Sequence, residues 1–416
     1  MKVFKKIAMV AATTLAATLL VGCGQKTNPK EITFWNPLTG DDGAYMNNIV
    51  KEYNKTKPEY PVKAVVTSDM YTKIYTAMNS KKGIPDLTLI HADRVPAFAD
   101  AGMLKPMTGI LKQQKNIKSE NYLPQAWNAG QFDGKQYTVP LDIHANAMYY
   151  NKDLLKKYGC ENFLDDNVVT FDEMMSLAGK MKKGDYVLNN SLISWVILGE
   201  IANQDGTIEK DGKPNLDTPE MRKTFESLKN LASAGLMTPN GEDGYLMFQS
   251  GNVLFSTDGT WTSTAHDAVK GLNYGVTNVY SFSPDKFTNR ASSHMFALLK
   301  SSERTKGKEK GIGKFLEYVR KNSIEWAKAG QIVASKDVVE SDDFKNYKQS
   351  FFTSSPEEIN SLHIYDYKYY SYVDEAVNTY AMDIIYGKKD IDKGLKAIQK
   401  FAEDKIAENE KILKNS

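Results

Sequence analysis

From Glu31 onward, apolar residues recur in two rhythms, one of period two and one near 3.6. Glu31–Trp35 (EITFW) predicts a strand, and after the polar loop Asn36–Gly43 the residues Tyr45, Met46, Ile49, Val50 and Tyr53 fall at helical spacing. Val62–Thr67 predicts a second strand, and Met70, Ile74, Ala77 and Met78 mark a second helix. Leu87–Ile90 predicts a third strand, followed by HADR and a helix that stops at Gly102. This alternation predicts an α/β fold built on a parallel sheet with helices on both faces. Ligands of such sheets sit beyond the carboxyl ends of the strands. Trp35–Asp42 and His91–Arg94 are therefore expected on one rim.

The pattern changes at Gln136–Leu155 (QYTVPLDIHANAMYYNKDLL). An extended run through Tyr137, Val139 and Leu141 meets a polar patch of Asp142, His144 and Asn146. A second β-rich run (Met148, Tyr149, Tyr150) follows, with Asn151 as the cap of a new helix. Pro140 lacks an amide donor and suits an edge strand. A strand with a polar break can serve two sheets, so a crossover between lobes is predicted here. Beyond it, Thr170–Glu173 reads as a capping box, Asn190–Asn203 as a buried helix and Thr218-Pro219-Glu220 as a helix start. Asn252–Thr257 predicts a strand leading into Asp258-Gly259-Thr260-Trp261. The return to the first lobe is expected there, with strands near Tyr274–Tyr280 and Met295–Lys300 and a third crossing near Gly311. The last helix starts at Asp390 with an apolar stripe of Ile391, Leu395, Ile398, Phe401 and Ile406. The expected division is 31–141 plus 262–310 for one lobe and 142–261 plus 311–416 for the other.

A chain of 416 residues exceeds what one core usually holds, which fits two lobes. The formal net charge of +2 gives no field to attract nucleic acid. Only five of the 53 basic residues are arginine, so bidentate recognition of phosphate is expected to be sparse. The two cysteines, Cys23 and Cys160, have no partner at metal-ligand spacing, and neither a metal site nor a cofactor is expected. Lys2, Lys5 and Lys6 precede an apolar run, Ile7–Val21, too short for a comfortable membrane span, which ends Leu20-Val21-Gly22-Cys23. This looks like a lipoprotein signal over 1–22, with Cys23 as the lipid-bearing residue and 23–30 as a tether. Work on the outer face of the cell membrane is the expectation.

The segments PDLTLIHADR (Pro85–Arg94), FDGKQYTVPLDIHANAMYYNKDLL (Phe132–Leu155) and FQSGNVLFSTDGTW (Phe248–Trp261) come in a specific order. AGQIVASKDV (Ala329–Val338) and a C-terminal helix after IIYGKKDID complete the series. Together they resemble the extracellular solute-binding proteins of ABC sugar importers, the class that contains maltose-binding protein. The resemblance implies a two-lobed, periplasmic-binding-protein-like fold with crossover strands. It also implies a monomer that closes on an oligosaccharide and hands it to membrane permease subunits. Asp93 and Arg94 match an Asp-Arg pair that bonds sugar hydroxyls, and Asp142 to His144 fall where a hinge-region carboxylate binds sugar. Trp261 matches a tryptophan that stacks on a pyranose, and Thr39–Asp42 a ligand-touching loop. In departures from the maltose binder, Ile90 replaces a tryptophan, His144 stands near a glutamate, and Tyr365–Tyr372 stands for a C-terminal tryptophan.

A pyranose has an apolar face, which aromatic rings cover, and a rim of hydroxyls for carboxylates, amides and guanidinium groups. Trp35, Trp195, Trp261 and tyrosines near Tyr370 are the stacking candidates, while Trp127 is read as core. Asn36, Thr39, Asp42, Asp93, Arg94, Asp142, His144 and Asp258 are the polar candidates. Of the neighbours Asp41 and Asp42, one is expected to cap the helix and Asp42 to reach the ligand. Asp42, Asp93, Asp142 and Asp258 could also supply the two carboxylates of a glycoside hydrolase. Each lies beside a turn or cap, and no Gly-x-Ser-x-Gly elbow, His-Glu-x-x-His or P-loop occurs, so a receptor rather than an enzyme is expected. A receptor of the same fold for glycerol phosphate, a polyamine or a metal ion is the other alternative.

Overall fold

Two large β-sheets, each covered by helices, and two short two-stranded ones make up the computed structural model, which describes residues 28–40 and 42–414. The expected leader 1–22, Cys23, the start of the tether and Asp41 lie outside the described residues. The first sheet runs Val62–Val66, Ile32–Asn36, Leu87–His91, His294–Leu299, Leu104–Lys105, with Thr138–Pro140 also on His294–Leu299. Its first three strands are parallel, as helical connections require. His294–Leu299 is antiparallel to Leu87–His91. This departs from the all-parallel expectation because the strand arrives directly from the other sheet, out of Asn289–Ser292, without a helical crossover.

Alternation along Ile32–Asn36 sends Phe34 to one face and Trp35 to the other. Phe34 meets Phe296 and Phe315 at ring-centroid distances of 5.7 and 6.1 Å, beneath the helices Asp42–Lys55 and Lys306–Asn322. Gly311 lies inside the second of these helices, so it does not mark the third crossing expected there. A Cβ at Gly311 would stand 2.6 Å from the Tyr60 Cβ. Close packing against the first sheet thus outweighs the roughly 1 kcal/mol that glycine costs a helix.

The second sheet is organised on Asp142–Asn151, which is buried along nearly its whole length. Four strands pair with it: Val253–Gly259, Tyr274–Thr277, Asn289–Ser292 and Ile332–Val333. Tyr274–Thr277 was expected in the first lobe, but it lies opposite Met148–Asn151, since apolar alternation marks a strand without naming its partner. Thr138–Pro140 and Asp142–Asn151 sit in different sheets, joined at Leu141, whose N–H donates to His294 O and whose carbonyl accepts from Ala334 N. The predicted crossover is therefore present. Asn151 caps the following helix through Oδ1, accepting from Asp153 N and Leu154 N at 3.0 Å, and the Thr170–Glu173 capping box closes in both directions. The buried helix Ile193–Asn203 packs with Pro219–Ser233 and Tyr370–Ile385 on this sheet.

Asp258 ends up inside this second lobe. Its Oδ2 accepts from Ser256 Oγ at 2.5 Å and from Asn189 Nδ2 at 3.3 Å. Burial pushes its carboxyl up to about 7, against the pull of those two donors. An unfolded aspartate titrates near pH ~3.9. Through the window between these values the folded protein holds a proton that the unfolded chain has released, so stability falls as pH rises. Asp258→Asn removes that penalty. In denaturant unfolding the variant is expected to gain on the parent from about pH 4 to pH 7, by roughly 4 kcal/mol at most, and to level off above. A difference constant across this range would contradict a buried, protonated carboxyl.

Candidate functional site

The ends of three strands meet between the sheets. His91 closes Leu87–His91, His294 opens its neighbour directly opposite, and His144 is the third residue of the long strand. Beneath them lies Asp142, with no exposed surface. Its Oδ2 accepts from His294 Nδ1 and Trp326 Nε1, both at 2.7 Å. Its Oδ1 accepts from His294 N at 2.8 Å and lies 3.3 Å from His144 Nδ1. Burial alone would raise this carboxyl, but the His294 and His144 partners hold it well below the usual range. Asp142 is thus sealed under the cleft, and the structure corrects its expected contact with solute: all its acceptor capacity goes to protein donors. Burial lowers His91 strongly and takes His144 down to about 4, helped in both by the nearby His294 charge. Burial lowers His294 as well, yet the Asp142 carboxylate outweighs it and the net shift is upward.

Above this floor is a cavity of about 340 Å³ lined by Asp42, Asp93, Arg94, His144, Trp195, Trp261 and Tyr370, all of them expected from the sequence. A second cavity, about 390 Å³, adjoins it and includes Thr39. Asp42, His91, Trp261 and His294 line both, so the two form one continuous groove. Both volumes lie in the range typical of small-molecule sites. Trp195 and Trp261 meet edge to face, with centroids 5.7 Å apart at 76°. Trp195 is carried by a helix whose entry residue, Leu192, adopts the left-handed conformation at φ 44°, a strain of about 1–2 kcal/mol. The Arg290 guanidinium lies 3.3 Å from the Trp195 ring centroid and 4.8 Å from that of Tyr370, and its Nε donates to Tyr370 Oη at 2.7 Å.

Across the mouth, Arg94 Nη1 donates to Ser371 Oγ at 3.1 Å and Lys368 Nζ to Asp100 Oδ2 at 2.9 Å. The two lobes touch there, so the groove is closed at this edge. Among the described residues, five of the buried polar atoms without a protein partner belong to residues that line the cavity: Asp42 Oδ1, Arg290 Nη1, Ser292 Oγ, Gln331 Oε1 and Asp374 Oδ1. Each costs about 1–3 kcal/mol if left unpaired.

Besides the sealed Asp142, three expected residues are not brought to the groove. Trp35 packs, half-buried, into the cluster of Met70 and Ile74 from the helix Met70–Ser80 on one face of the first sheet. Asn36 is buried and uses Oδ1 to accept from Leu38 N at 3.2 Å, which shapes the loop instead of contacting solute. Asp258 is spent on Ser256 and Asn189. Conversely, Arg290, His294, Gln331 and Asp374 line the cavity without having been singled out, as does His91, which the sequence placed on the rim without a role. Scarcity was the available signal: three of the five histidines and two of the five arginines of the chain converge here.

Comparison with known proteins agrees with this architecture. A family profile described as bacterial extracellular solute-binding protein matches residues 48–353. An sn-glycerol-3-phosphate-binding periplasmic protein, UgpB, of Brucella melitensis is 24% identical over 77% of this chain and 78% of its own. A maltooligosaccharide ABC transporter solute-binding lipoprotein of Streptococcus pneumoniae is 27% identical over 67% of this chain and 68% of its own. Among solved structures, the sugar-binding protein MalE of Xanthomonas citri aligns with a TM-score of 0.77 at 17% identity, covering 93% of this chain and all (100%) of that one. The GacH receptor of Streptomyces glaucescens, described unliganded and with acarbose, aligns at 0.74 with 19% identity over 90% and 98% of the two chains. The fold is thus the two-lobed one of maltose-binding protein. With well over half its length matched, the chain belongs to the bacterial extracellular solute-binding protein family.

Proposed function

We propose that this protein captures an oligosaccharide outside the cell membrane and delivers it to the permease subunits of an ABC importer. The observation that carries the reading is the Trp195–Trp261 corner set in the same cavity as the polar side chains Asp42, Arg290, Ser292, Gln331 and Asp374. The rings match the apolar faces of a pyranose, and Asp42, Gln331, Ser292 and Asp374 match its hydroxyl rim. The maltooligosaccharide-binding relative and the acarbose-bound neighbour support the same class of solute. The basic head, apolar run and Cys23 support anchorage by lipid, with a monomeric receptor held at the surface. A receptor rather than a hydrolase is favoured because Asp142 is sealed by its partners and Asp258 lies off the groove. Of the carboxylates left on the groove, Asp42, Asp93 and Asp374, Asp93 is 3.2 Å from its own Arg94, and the family match favours a receptor.

The second reading is a phosphorylated polyol such as sn-glycerol 3-phosphate. It is favoured by the UgpB relative and by Arg94 and Arg290 lining one cavity. Calorimetric titration of residues 24–416 with a panel of oligosaccharides and with sn-glycerol 3-phosphate separates the two. Saturable binding of a saccharide without release of shorter products is expected; binding of the phosphate ester alone, or hydrolysis, would overturn the receptor for sugar. Trp261→Ala is expected to weaken saccharide binding by about 1–3 kcal/mol, the worth of a buried aromatic anchor. Unchanged affinity would remove Trp261 from the site. Closure makes a further prediction, because a solute touching both lobes shifts the open–closed balance. Small-angle scattering is expected to show a smaller radius of gyration on saturation, and an identical profile would argue against closure.

A further inference from the structure

We propose that His91, His144 and His294 hold a divalent transition-metal ion of the zinc class on their Nε2 atoms at the floor of the groove. Their ligand nitrogens lie within 4.8 Å of one another, the one such group among the described residues. Nitrogens bound to one tetrahedral zinc at about 2.0–2.1 Å are about 3.4 Å apart, so small rotations of the rings bring them onto a common ion.

Orientation is the second, independent observation. His144 Nδ1 and His294 Nδ1 both face the Asp142 carboxylate, at 3.3 and 2.7 Å. His91 Nδ1 is 2.6 Å from the Tyr71 hydroxyl, whose oxygen also accepts from His91 N at 3.1 Å. Each ring therefore spends Nδ1 on a buried partner and leaves Nε2 for the groove that all three line. A carboxylate behind a histidine, as Asp142 stands behind His144 and His294, is the arrangement that fixes the tautomer and raises the basicity of a metal-binding imidazole. Hydrogen bonding to a sugar would not require three rings held this way on one point.

Imidazole donors suit zinc, copper and nickel, and poorly suit magnesium or calcium. Three protein ligands leave the fourth position open. Here that position faces the cavity, where an oxygen donor of the captured solute completes the shell. The site stands whether the solute is a saccharide or not.

The test uses residues 24–416 stripped with a chelator and titrated calorimetrically with zinc chloride, then with magnesium chloride. One zinc per chain and no magnesium response are expected. Asp142→Asn is expected to weaken zinc binding 10–100-fold, as loss of a supporting carboxylate does, and the His91→Ala/His294→Ala double variant to abolish it. If those variants fail to fold, X-ray absorption at the zinc edge of the parent protein decides, with three imidazoles expected in the first shell. A shell of oxygens with one imidazole or none, or zinc binding undiminished in a folded double variant, would overturn the site. Saccharide titration in the presence of chelator keeps the two readings apart. Sugar binding without zinc binding sinks only the metal, and zinc binding without sugar binding sinks only the saccharide.

Discussion

A carboxylate shut away from water holds the two lobes in register. Asp142 stands at the first residue of the long second-sheet strand, and its partners come from both sides of the crossover: His294 from the first sheet, His144 from the second, and Trp326 from the helical turn beyond Lys306–Asn322. An ion buried without partners would cost several kcal/mol. Four contacts, three of them at 2.7–2.8 Å, offset that cost and leave one arrangement of the strand ends far better than its neighbours. The groove inherits its floor from this constraint.

What lies above the floor follows the opposite logic. There the protein leaves donors and acceptors unmatched and places them beside rigid rings. Arg290 is gripped by Trp195 and Tyr370, so its free Nη1 points in a direction set by packing rather than by solvent. The sealed carboxylate and the open wall together separate two duties that residue type alone does not distinguish. Aspartates 142 and 258 serve the interior, whereas Asp42 and Asp374 face the cavity.

Much of the local structure was legible because its causes are local. The Asn151 cap, the Thr170–Glu173 box and the buried helix Ile193–Asn203 follow from side chains within a few residues of one another. The crossover at Gln136–Leu155 was legible too, since a proline beside a polar break in an apolar strand suits a change of sheet. Trp35 and Tyr274–Thr277 show the limit. Their rhythm marks a strand, but which face meets solute and which strand lies alongside depend on residues far away in the chain.

By itself the sequence determined the α/β class, the order of most elements and the family resemblance, since these rest on periodicity, caps and short motifs. Only the tertiary structure decided that His91, His144 and His294 meet, that Asp142 is spent on them, and that Arg290 reaches the groove. Those facts depend on strand register and on a crossing between sheets, and a slip of one residue would turn each side chain to the opposite face.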